Sequence, residues 1–276
     1  IKLKIAVVIQ TRMGSTRYPG KVMENLKGSD KILDYVVKQL KFCKSVDDLI
    51  IATTTLEQDD VIVEYAKKNN LKFFRGEPLD VLDRYYQCAK EFSLETIIRM
   101  TSDCPFLDPR VVDKTVRFFQ ENNFDFVSNN IIRTFPIGVD TEVFSFDALE
   151  QAWNEAILPS EREHVTPFIK KNNNIFKIFN LENEKKIPIY RITIDRKEDL
   201  NFLKEIAKNI NHAPILMKDV YDLLETKPEI LDLYNDKMNV VEGYNKSLKE
   251  DDEFLKNLSK EEREKISNSF KETIKK

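Results

Sequence analysis

The chain has 276 residues, 41% of them hydrophobic, which is enough for one large domain with a substantial core. Its net charge of −3, without a long basic stripe, argues against nucleic-acid binding, and no apolar run reaches the roughly 18 residues of a membrane-spanning helix. Three cysteines without a Cys-x-x-Cys pair indicate a reduced, cytoplasmic protein, and two histidines are too few for a histidine-rich metal site.

Short apolar, β-branched runs alternate with helical patterns over the first 110 residues. The predicted strands cover residues 5–9, 49–54, 72–75 and 96–100, and the predicted helices cover residues 32–43, 59–65 and 81–92. Helices of this length between strands indicate βαβ units. We therefore expect an α/β fold, with a mostly parallel mixed sheet flanked by helices.

The alternation weakens after residue 125. A strand over residues 125–129, a turn with an edge or mixed strand over 136–144, a helix over 148–156, a last strand over 189–195 and a helix over 197–210 are predicted. From about residue 251 the chain is charged and polar, as in an exposed amphipathic helix or a disordered tail. We therefore expect one domain over residues 1–248 and a C-terminal extension over 249–276.

The loop after the first predicted strand holds two of the chain's six glycines, in residues 10–21. Glycine lets a backbone approach an anion closely, and successive N–H groups form a cradle for it. Arg12, Arg17 and Lys21 add positive charge to this loop of an acidic chain, so a small anionic ligand is indicated. The alternative is an ordinary connection to a helix. Lys21 is followed by Val22 and no G-x-G-x-x-G is present, which excludes the Walker A and dinucleotide motifs.

Polar or glycine residues also follow the next three predicted strands, at residues 53–55, Gly76 and residues 101–103. The carboxyl ends of parallel strands share one edge of a sheet, where ligands of α/β proteins bind. Asp103, in a turn before two prolines, is either a candidate Mg²⁺ ligand or a helix-capping or turn-stabilising residue. Asp108 precedes Pro109 and is predicted to cap a helix. Asp195 follows the last predicted strand and is either a second Mg²⁺ ligand or a helix cap.

Two further loops are candidates for ligand binding. Residues 76–85 run from a loop into a helix, with Arg84 placed either toward a phosphate or on the surface. Residues 160–166 combine Glu, Arg, Ser and Thr with His164, which is typical of a binding loop, although a lone histidine is often structural. No nucleophile-elbow motif accompanies this histidine.

Several of these stretches together resemble one enzyme family. Residues 11–21 resemble the N-terminal motif of the cytidylyltransferases that activate acidic sugars, such as the acylneuraminate and 3-deoxy-manno-octulosonate enzymes. The similarity is strongest to the branch named spore coat polysaccharide biosynthesis protein F. Supporting stretches lie at residues 74–77, 80–85, 101–105, 140–144, 160–166 and 239–248. The resemblance covers roughly residues 3–248.

This resemblance implies a nucleotide-diphospho-sugar transferase, Rossmann-like fold and the transfer of CMP from CTP to a sugar acid, with pyrophosphate released. It implies Arg12, Lys21 and Asp103 as catalytic residues and Asp103 and Asp195 as ligands of Mg²⁺. The nucleotide-binding set comprises Gln10, Thr11, Arg12, Gly14, Ser15, Arg17, Lys21, Thr54, Gly76, Asp80, Arg84 and Ser102. The acceptor-binding set comprises Asp140, Glu142, Glu161, Arg162 and His164.

Three alternatives remain open at this point. A nucleotidyltransferase with another nucleotide or a phosphorylated acceptor is barely distinguished by the sequence. A glycosyltransferase on this fold normally carries a D-x-D pair, and none follows the fourth predicted strand. A non-catalytic sugar-nucleotide-binding protein is disfavoured because the basic loop and both aspartates are intact. The expected partners are small-molecule substrates, and residues 140–168 are a candidate surface for a homodimer.

Overall fold

A computed structural model of the protein describes residues 4–234 and 242–262. Its main sheet uses seven strands, and a short antiparallel pair, β2 and β3, stands apart. The strands are β1 (Ile5–Gln10), β2 (Asn25–Lys27), β3 (Asp30–Lys31), β4 (Asp48–Thr54), β5 (Lys72–Gly76), β6 (Thr96–Thr101), β7 (Phe126–Ser128), β8 (Glu142–Ser145) and β9 (Ile178–Asn180).

Helices cover both faces of the main sheet and the C-terminal part of the described chain. They are α1 (Ile32–Leu40), α2 (Asp60–Lys68), α3 (Val81–Glu91), α4 (Pro109–Glu121), α5 (Phe146–Glu155), α6 (Pro159–His164), α7 (Pro167–Lys171), α8 (Asp199–Asn209), α9 (Met217–Thr226) and α10 (Glu242–Asn257). Three 3₁₀ turns lie at Lys21–Met23, Glu57–Asp59 and Pro228–Leu233. No helix in the described ranges is both long and apolar enough to cross a membrane.

The main sheet has the order β5-β4-β1-β6-β8-β7-β9. Strands β5, β4, β1 and β6 are mutually parallel, β8 is antiparallel to both of its neighbours, and β9 pairs in parallel with β7. The carboxyl ends of β1 and β6 therefore lie side by side, and Gln10 pairs with Thr101 there. The expected α/β class with a mostly parallel mixed sheet is confirmed.

Two apolar layers hold the sheet between its helices, one on each face. Successive residues of β1 alternate between them, so Ala6 and Val8 join the layer with α3 and α5, while Val7 and Ile9 join the layer with α1 and α4. Because both faces of β1 are covered, its apolar run is continuous rather than alternating. A third cluster packs α8 and α9 against residues 192–194, which keeps that segment next to the sheet edge.

The predicted strand over residues 189–195 is wrong. This segment has an irregular backbone whose β contact is a single bridge between Ile137 and Arg191. Its apolar residues Ile192 and Ile194 are fully buried against α8, so a strand-like pattern arises from packing on a helix and not from sheet pairing. Asp195 accordingly sits in a loop, and α8 begins at Asp199 instead of residue 197.

One further expectation needs correction. Strand β8 lies inside the sheet and is antiparallel to both β6 and β7, so it is an internal strand of a mixed sheet and not an edge strand. The domain boundary expected between residues 248 and 249 stays a prediction; both residues lie within α10, and Asp251 of the same helix is buried. The alternating pattern did not indicate β9, whose three residues are too few for a periodic signal.

Candidate active site

A cleft opens at the carboxyl ends of β1 and β6 and has two connected parts. The first chamber, of about 730 Å³, lies between residues 10–22 and α10. The second chamber, of about 610 Å³, lies between residues 130–142 and α7. Both chambers share the same central residues, which are Arg17, Arg99, Thr101, Asp103, His164 and Asp195.

Hydrogen bonds to Asp59 hold the loop of residues 11–21 in place. This fully buried carboxylate accepts a hydrogen bond from the Met13 N–H at 2.6 Å and another from the Thr54 hydroxyl. The loop then closes on itself, since the Gly20 N–H donates to the Met13 carbonyl at 2.8 Å. Gly20 has φ of 74°, a left-handed conformation that a side chain would strain. The loop therefore has a fixed shape around the first chamber.

Two side chains at the start of this loop have buried polar atoms without partners. Gln10 Oε1 and Thr11 Oγ1 make no hydrogen bond within the described part of the chain, and both residues line the first chamber. Leaving a buried polar atom unsatisfied costs about 1–3 kcal/mol. A ligand that brings hydrogen-bond donors into the first chamber would recover that energy.

Lys21 joins the two aspartates that the sequence singled out. Its Nζ lies 2.9 Å from Asp103 Oδ2 and 3.5 Å from Asp195 Oδ1, and it also donates to the Ile194 carbonyl at 2.7 Å. Arg17 reaches the same Asp195 oxygen at 2.6 Å. The cluster thus connects the loop after β1, the turn after β6 and the loop before α8 at the junction of the two chambers.

Burial disfavours the charged forms of both Lys21 and Asp103, but their mutual attraction outweighs it. The pKa of Lys21 is raised and the pKa of Asp103 is lowered by this pairing. The pKa of the neighbouring Cys104 thiol is raised well above the usual value, mainly by burial and secondly by the charge of Asp103. The cleft therefore presents ionised oxygen ligands beside an ammonium, and no thiolate.

The first chamber is rich in positive charge. Seven cationic and three acidic side chains line it. Arg12 and Lys249 make no ion pair within residues 4–234 and 242–262, while Lys246 is 3.6 Å from Glu250 on its own helix. This excess of cations favours a ligand with several negative charges.

The second chamber is built around Glu142, which is 3% exposed. Its carboxylate accepts from Arg99 at 2.8 Å, from Lys170 at 2.5 Å and from the Thr166 hydroxyl at 3.1 Å. Burial alone would raise the pKa of Glu142, but Lys170 and then Arg99 hold it far below its usual range. A carboxylate that is ionised at neutral pH therefore fixes two cations at the floor of this chamber.

Two further ion pairs stabilise the second chamber. Arg133 makes a bidentate pair with Asp140, at 2.6 and 3.0 Å. Arg191 makes a buried bidentate pair with Asp199, which also accepts the Asp195 N–H at 2.8 Å. Burial opposes the charge on Asp199, but the hydrogen bond from Arg191 lowers its pKa. This pair fixes the loop that carries Asp195.

Helix α10 closes the cleft by docking on α6. Asp251 accepts from both the N–H and the hydroxyl of Ser160, at 2.8 and 2.6 Å. Ser247 contacts Glu163 at 2.6 Å and His164 Nε2 at 2.9 Å. These contacts bring the polar side of α10 over the first chamber.

Thirteen of the sequence-predicted residues line one or both chambers. They are Gln10, Thr11, Arg12, Ser15, Arg17, Lys21, Arg84, Ser102, Asp103, Asp140, Glu142, His164 and Asp195. The remaining six lie outside both chambers: Gly14, Thr54, Gly76, Asp80, Glu161 and Arg162. Most of these six residues make contacts that hold neighbouring loops and helices in place.

Asp80 and Arg162 contact each other instead of the cleft. Asp80 caps α3 by accepting the Asp83 N–H at 2.9 Å, and Arg162 binds the same carboxylate with two nitrogens at 2.9 and 2.6 Å. Glu161 accepts from backbone N–H groups at the start of α6, so its carboxylate is a helix cap. These residues fix α6, and through it His164, relative to α3.

Gly76 leaves room for Arg84. A Cβ at position 76 would lie 2.8 Å from Arg84 Cγ and from the Phe74 ring. Arg84 is 1% exposed and donates to the carbonyls of Glu77 and Pro78, so most of its hydrogen-bonding capacity holds the loop before α3. Thr54 is similarly committed to Asp59, and a Cβ at Gly14 would lie 2.8 Å from the Gln58 amide.

The sequence analysis missed several cationic residues of the cleft. They are Arg99, Arg133, Lys170, Lys246 and Lys249. For Arg99 a signal was present, because an arginine inside the apolar run of β6 needs a buried partner. The partner, Glu142, arrives on the antiparallel strand β8, so only the sheet pairing reveals the contact.

Comparisons with known proteins find a matching family model and similar chains. A family model described as cytidylyltransferase matches residues 6–241. The spore coat polysaccharide biosynthesis protein SpsF of Bacillus subtilis is 32% identical over 235 residues, which cover 82% of this chain and 95% of that protein. An uncharacterized protein of Methanocaldococcus jannaschii is 40% identical over 231 residues, covering 83% and 93% respectively.

A solved structure gives the same result in three dimensions. A cytidylyltransferase from Leptospira borgpetersenii serovar Hardjo-bovis superposes on this protein with a TM-score of 0.81 at 35% sequence identity. The alignment covers 86% of this chain and 100% of that chain. This protein thus shares its overall fold with a similar chain.

Proposed function

The chain belongs to the cytidylyltransferase family, and we propose that it transfers CMP from CTP to an acidic sugar or a related acceptor, releasing pyrophosphate, for a surface polysaccharide. Family membership makes it a CTP-dependent nucleotidyltransferase and confirms the resemblance drawn from residues 11–21. The polysaccharide context is proposed by analogy with the spore coat protein of Bacillus subtilis. The cytoplasm is the proposed site of the reaction, consistent with three cysteines that form no disulfide.

The observation that carries the proposal is the excess of positive charge in the first chamber beside the side chains of Asp103 and Asp195. A nucleoside triphosphate brings several negative charges, which Arg12, Lys246 and Lys249 are placed to bind. The unsatisfied atoms of Gln10 and Thr11 suit the donors of a nucleoside, which are ribose hydroxyls and an exocyclic amino group. The first chamber would therefore hold CTP, and the second chamber the acceptor.

Lys21 has a different proposed role from the one that the resemblance implies. Its ammonium is engaged with Asp103, Asp195 and the Ile194 carbonyl, so its main effect is to fix the two carboxylates. Arg12 has no such commitment and is the better candidate for direct contact with the triphosphate. Arg17, which pairs with Asp195, would bind phosphate oxygens from the same loop.

Asp103 and Asp195 fit a magnesium ion. Both are carboxylates at the junction of the chambers, and Mg²⁺ prefers oxygen ligands, with phosphate and water completing its octahedron. Within the described ranges no group of three or more His, Cys, Asp or Glu side chains would hold a metal by itself, so two protein ligands plus phosphates is the fitting arrangement. When bound, such an ion would supply charge stabilisation at the phosphoryl group.

The mechanism follows from charge and position. The acceptor, held over Glu142 and its two cations, attacks the α-phosphorus of CTP in line, and the bond from that phosphorus to the bridging oxygen of pyrophosphate breaks. Phosphoryl and nucleotidyl transfer need little covalent work from a protein, so positioning and electrostatic stabilisation supply most of the rate. Arg12 and the lysines of α10 would neutralise the departing pyrophosphate.

Thermal unfolding with each of CTP, UTP, GTP, ATP and dTTP, with and without Mg²⁺, tests this proposal. A ligand that binds only the native state at 100 times its Kd adds about 2.7 kcal/mol of stability. We expect a shift selective for CTP and enhanced by Mg²⁺, followed by pyrophosphate release in a screen of acidic sugars. A larger shift with another nucleotide would contradict the assignment of CTP, and the absence of any shift would contradict the nucleotide site.

The oligomeric state stays a prediction. Residues 140–168, which we expect to contribute to a homodimer, also contain Glu142 and His164 of the cleft. Sedimentation of the full chain would measure the association directly, and a monomer at micromolar concentration would contradict the homodimer.

A further inference from the structure

His164 is placed where the two substrates would meet. It ends α6, lines both chambers and faces α10, whose Tyr244 ring contacts the imidazole edge at 5.4 Å between centroids. The next residue, Val165, has φ of 70°, which is rare for a β-branched residue and costs about 1–3 kcal/mol. The fold therefore accepts backbone strain to end α6 at this histidine.

The hydrogen bonds around Ser247 assign the tautomer of His164. Ser247 Oγ has one proton and three close partners: Glu163 Oε2 at 2.6 Å, the Gly243 carbonyl at 3.2 Å and His164 Nε2 at 2.9 Å. The carboxylate and the carbonyl can only accept, so the serine proton goes to one of them. His164 Nε2 must then donate its own proton to Ser247. In a neutral imidazole this leaves the lone pair on Nδ1.

Nδ1 is available to a ligand, because it makes no hydrogen bond to any residue in 4–234 or 242–262. The charged groups around the ring are Glu163 on α6, Arg99 on β6, Glu142 on β8 and Asp251 on α10. Burial is the strongest influence, and it lowers the pKa of His164, while Glu163 opposes this and Arg99 adds to it. Burial therefore favours the neutral ring, in which Nδ1 carries the lone pair.

We propose that His164 is the general base of the reaction, with Nδ1 taking the proton of an acceptor hydroxyl, and that Ser247 of α10 is the residue that positions it. The proposal rests on the proposed function. The hydroxyl proton passes to Nδ1, the oxygen forms its bond to the α-phosphorus, and the electron pair of the broken bond leaves with pyrophosphate. The imidazolium returns its proton to solvent.

The proposal narrows the acceptor class. A phosphate or carboxylate nucleophile is already ionised near pH 7 and needs no base. A hydroxyl, in contrast, gains from a positioned base whose pKa lies near the working pH, typically 10²–10⁴-fold. The acceptor would therefore attack through a hydroxyl group, which argues against a phosphorylated acceptor that attacks through its phosphate.

The tautomer can be measured without any substrate. The chain has only two histidines, and His212 is exposed in the loop between α8 and α9, so a His212→Gln protein leaves one imidazole to observe. We expect its ¹⁵N spectrum at pH 7.5 to show a neutral ring protonated at Nε2, with a pKa below the usual value of about 6.5. A ring protonated at Nδ1 would overturn the proposal.

Kinetics separate a base from a structural residue. In His164→Gln the side-chain amide can still donate a hydrogen bond to Ser247, but it cannot accept a proton near neutral pH. We expect kcat to fall at least 100-fold with the CTP thermal shift retained, and the acid limb of the pH profile to disappear. The matched control, His212→Gln, should keep full activity. Near-normal kcat in His164→Gln would overturn the base assignment.

Ser247→Ala tests the positioning role, since it removes the hydroxyl that accepts the Nε2 proton, together with its own hydrogen bond to Glu163 or to the Gly243 carbonyl. We expect about a tenfold lower kcat, an unchanged KM for CTP and mixed tautomers in the ¹⁵N spectrum. An unchanged tautomer and kcat would overturn the role of α10. If the unmodified chain transfers CMP to no acceptor, the proposed function fails as well. If it transfers CMP and His164→Gln does so equally well, only the base assignment fails.

Discussion

The two chambers of the cleft differ in how their charges are paired. In the first chamber Arg12 and Lys249 form no ion pair with the described residues, and buried oxygens of Gln10 and Thr11 have no partner. In the second chamber every lining cation lies within 4 Å of a carboxylate. The first chamber therefore depends on its ligand for charge balance, whereas the second is already balanced.

This difference suits two kinds of substrate. A triphosphate brings the charge that the first chamber lacks, and so contributes much of its own binding energy. An acceptor in the second chamber meets preformed ion pairs, which give it fixed hydrogen-bond positions but little net attraction. Substitutions in the first chamber should change ligand binding, while substitutions in the second should first change stability.

The largest effect is expected where the chambers meet. Asp103→Asn removes one of the two carboxylates, and we expect kcat to fall at least 1,000-fold, about 4 kcal/mol of barrier. Pyrophosphate release measures the loss. Asp48→Asn is a matched control, because its side chain is 25% exposed, against 29% for Asp103, and pairs with Lys72 away from the cleft. Full activity of a folded Asp103→Asn protein would contradict the site.

Glu142→Gln tests the second chamber, in which the charges are already paired. Removing one member of a buried pair costs about 3 kcal/mol or more, because Arg99 and Lys170 lose their partner. The pKa of Glu142 is lowered in the folded state, so its stabilisation is complete above the unfolded value of about 4.3 and is lost as the pH falls below it. Urea unfolding between pH 3 and 7 should show a steeper acid loss in the unmodified protein than in the variant. Equal slopes would contradict this role.

Arg12→Ala tests the first chamber, in which positive charges are in excess. Loss of a charge-assisted phosphate contact should raise the KM for CTP about 30-fold, equivalent to about 2 kcal/mol, with unfolding unchanged. Arg117→Ala, an exposed position on α4, serves as the control. A stability loss without a change in KM would place Arg12 with the structural residues instead.

Asp251→Ala tests the docking of α10. The variant leaves the N–H and hydroxyl of Ser160 without an acceptor, which should cost about 1.5 kcal/mol and increase hydrogen exchange in α10. The neighbouring Asp252 is exposed, so Asp252→Ala is the control. Identical exchange in both variants would show that this contact does not hold the helix.

The smallest effect is expected for Lys249→Ala. This exposed lysine faces the first chamber, so its loss should raise the KM for CTP about threefold at low salt and less at 0.5 M salt, where screening is strong. Lys256→Ala, on the same helix outside the cleft, should leave KM unchanged. A salt-independent effect would argue against an electrostatic role.

The parallel half of the molecule could be predicted from its sequence. Strands β1, β4, β5 and β6 are local apolar runs, and the residues that follow them meet at one sheet edge because parallel strands must align that way. The basic loop of residues 10–21 and Asp103 could therefore be identified as candidate site residues from the sequence alone. The resemblance then supplied the family, and the comparisons confirmed it.

The remaining half depended on contacts between distant parts of the chain. Residues 189–195 look like a strand, yet they pack on α8, because buried apolar residues alternate in either setting. Glu161 and Arg162 stand beside His164 in sequence, but the helical turn directs them to a backbone cap and to Asp80. Neighbours in sequence thus have different roles, which a pattern of residue types does not distinguish.

The sequence by itself determined the α/β class, the basic, glycine-containing character of the first loop and the family, since these depend on local periodicity and on a contiguous motif. The tertiary structure decided which charges are already paired, that Lys21 joins Asp103 to Asp195, and that Ser247 of α10 contacts the His164 ring. The contacts of Lys21 and of His164 join residues 80 or more positions apart. Their energies depend on distance and burial, which exist only once the chain has folded.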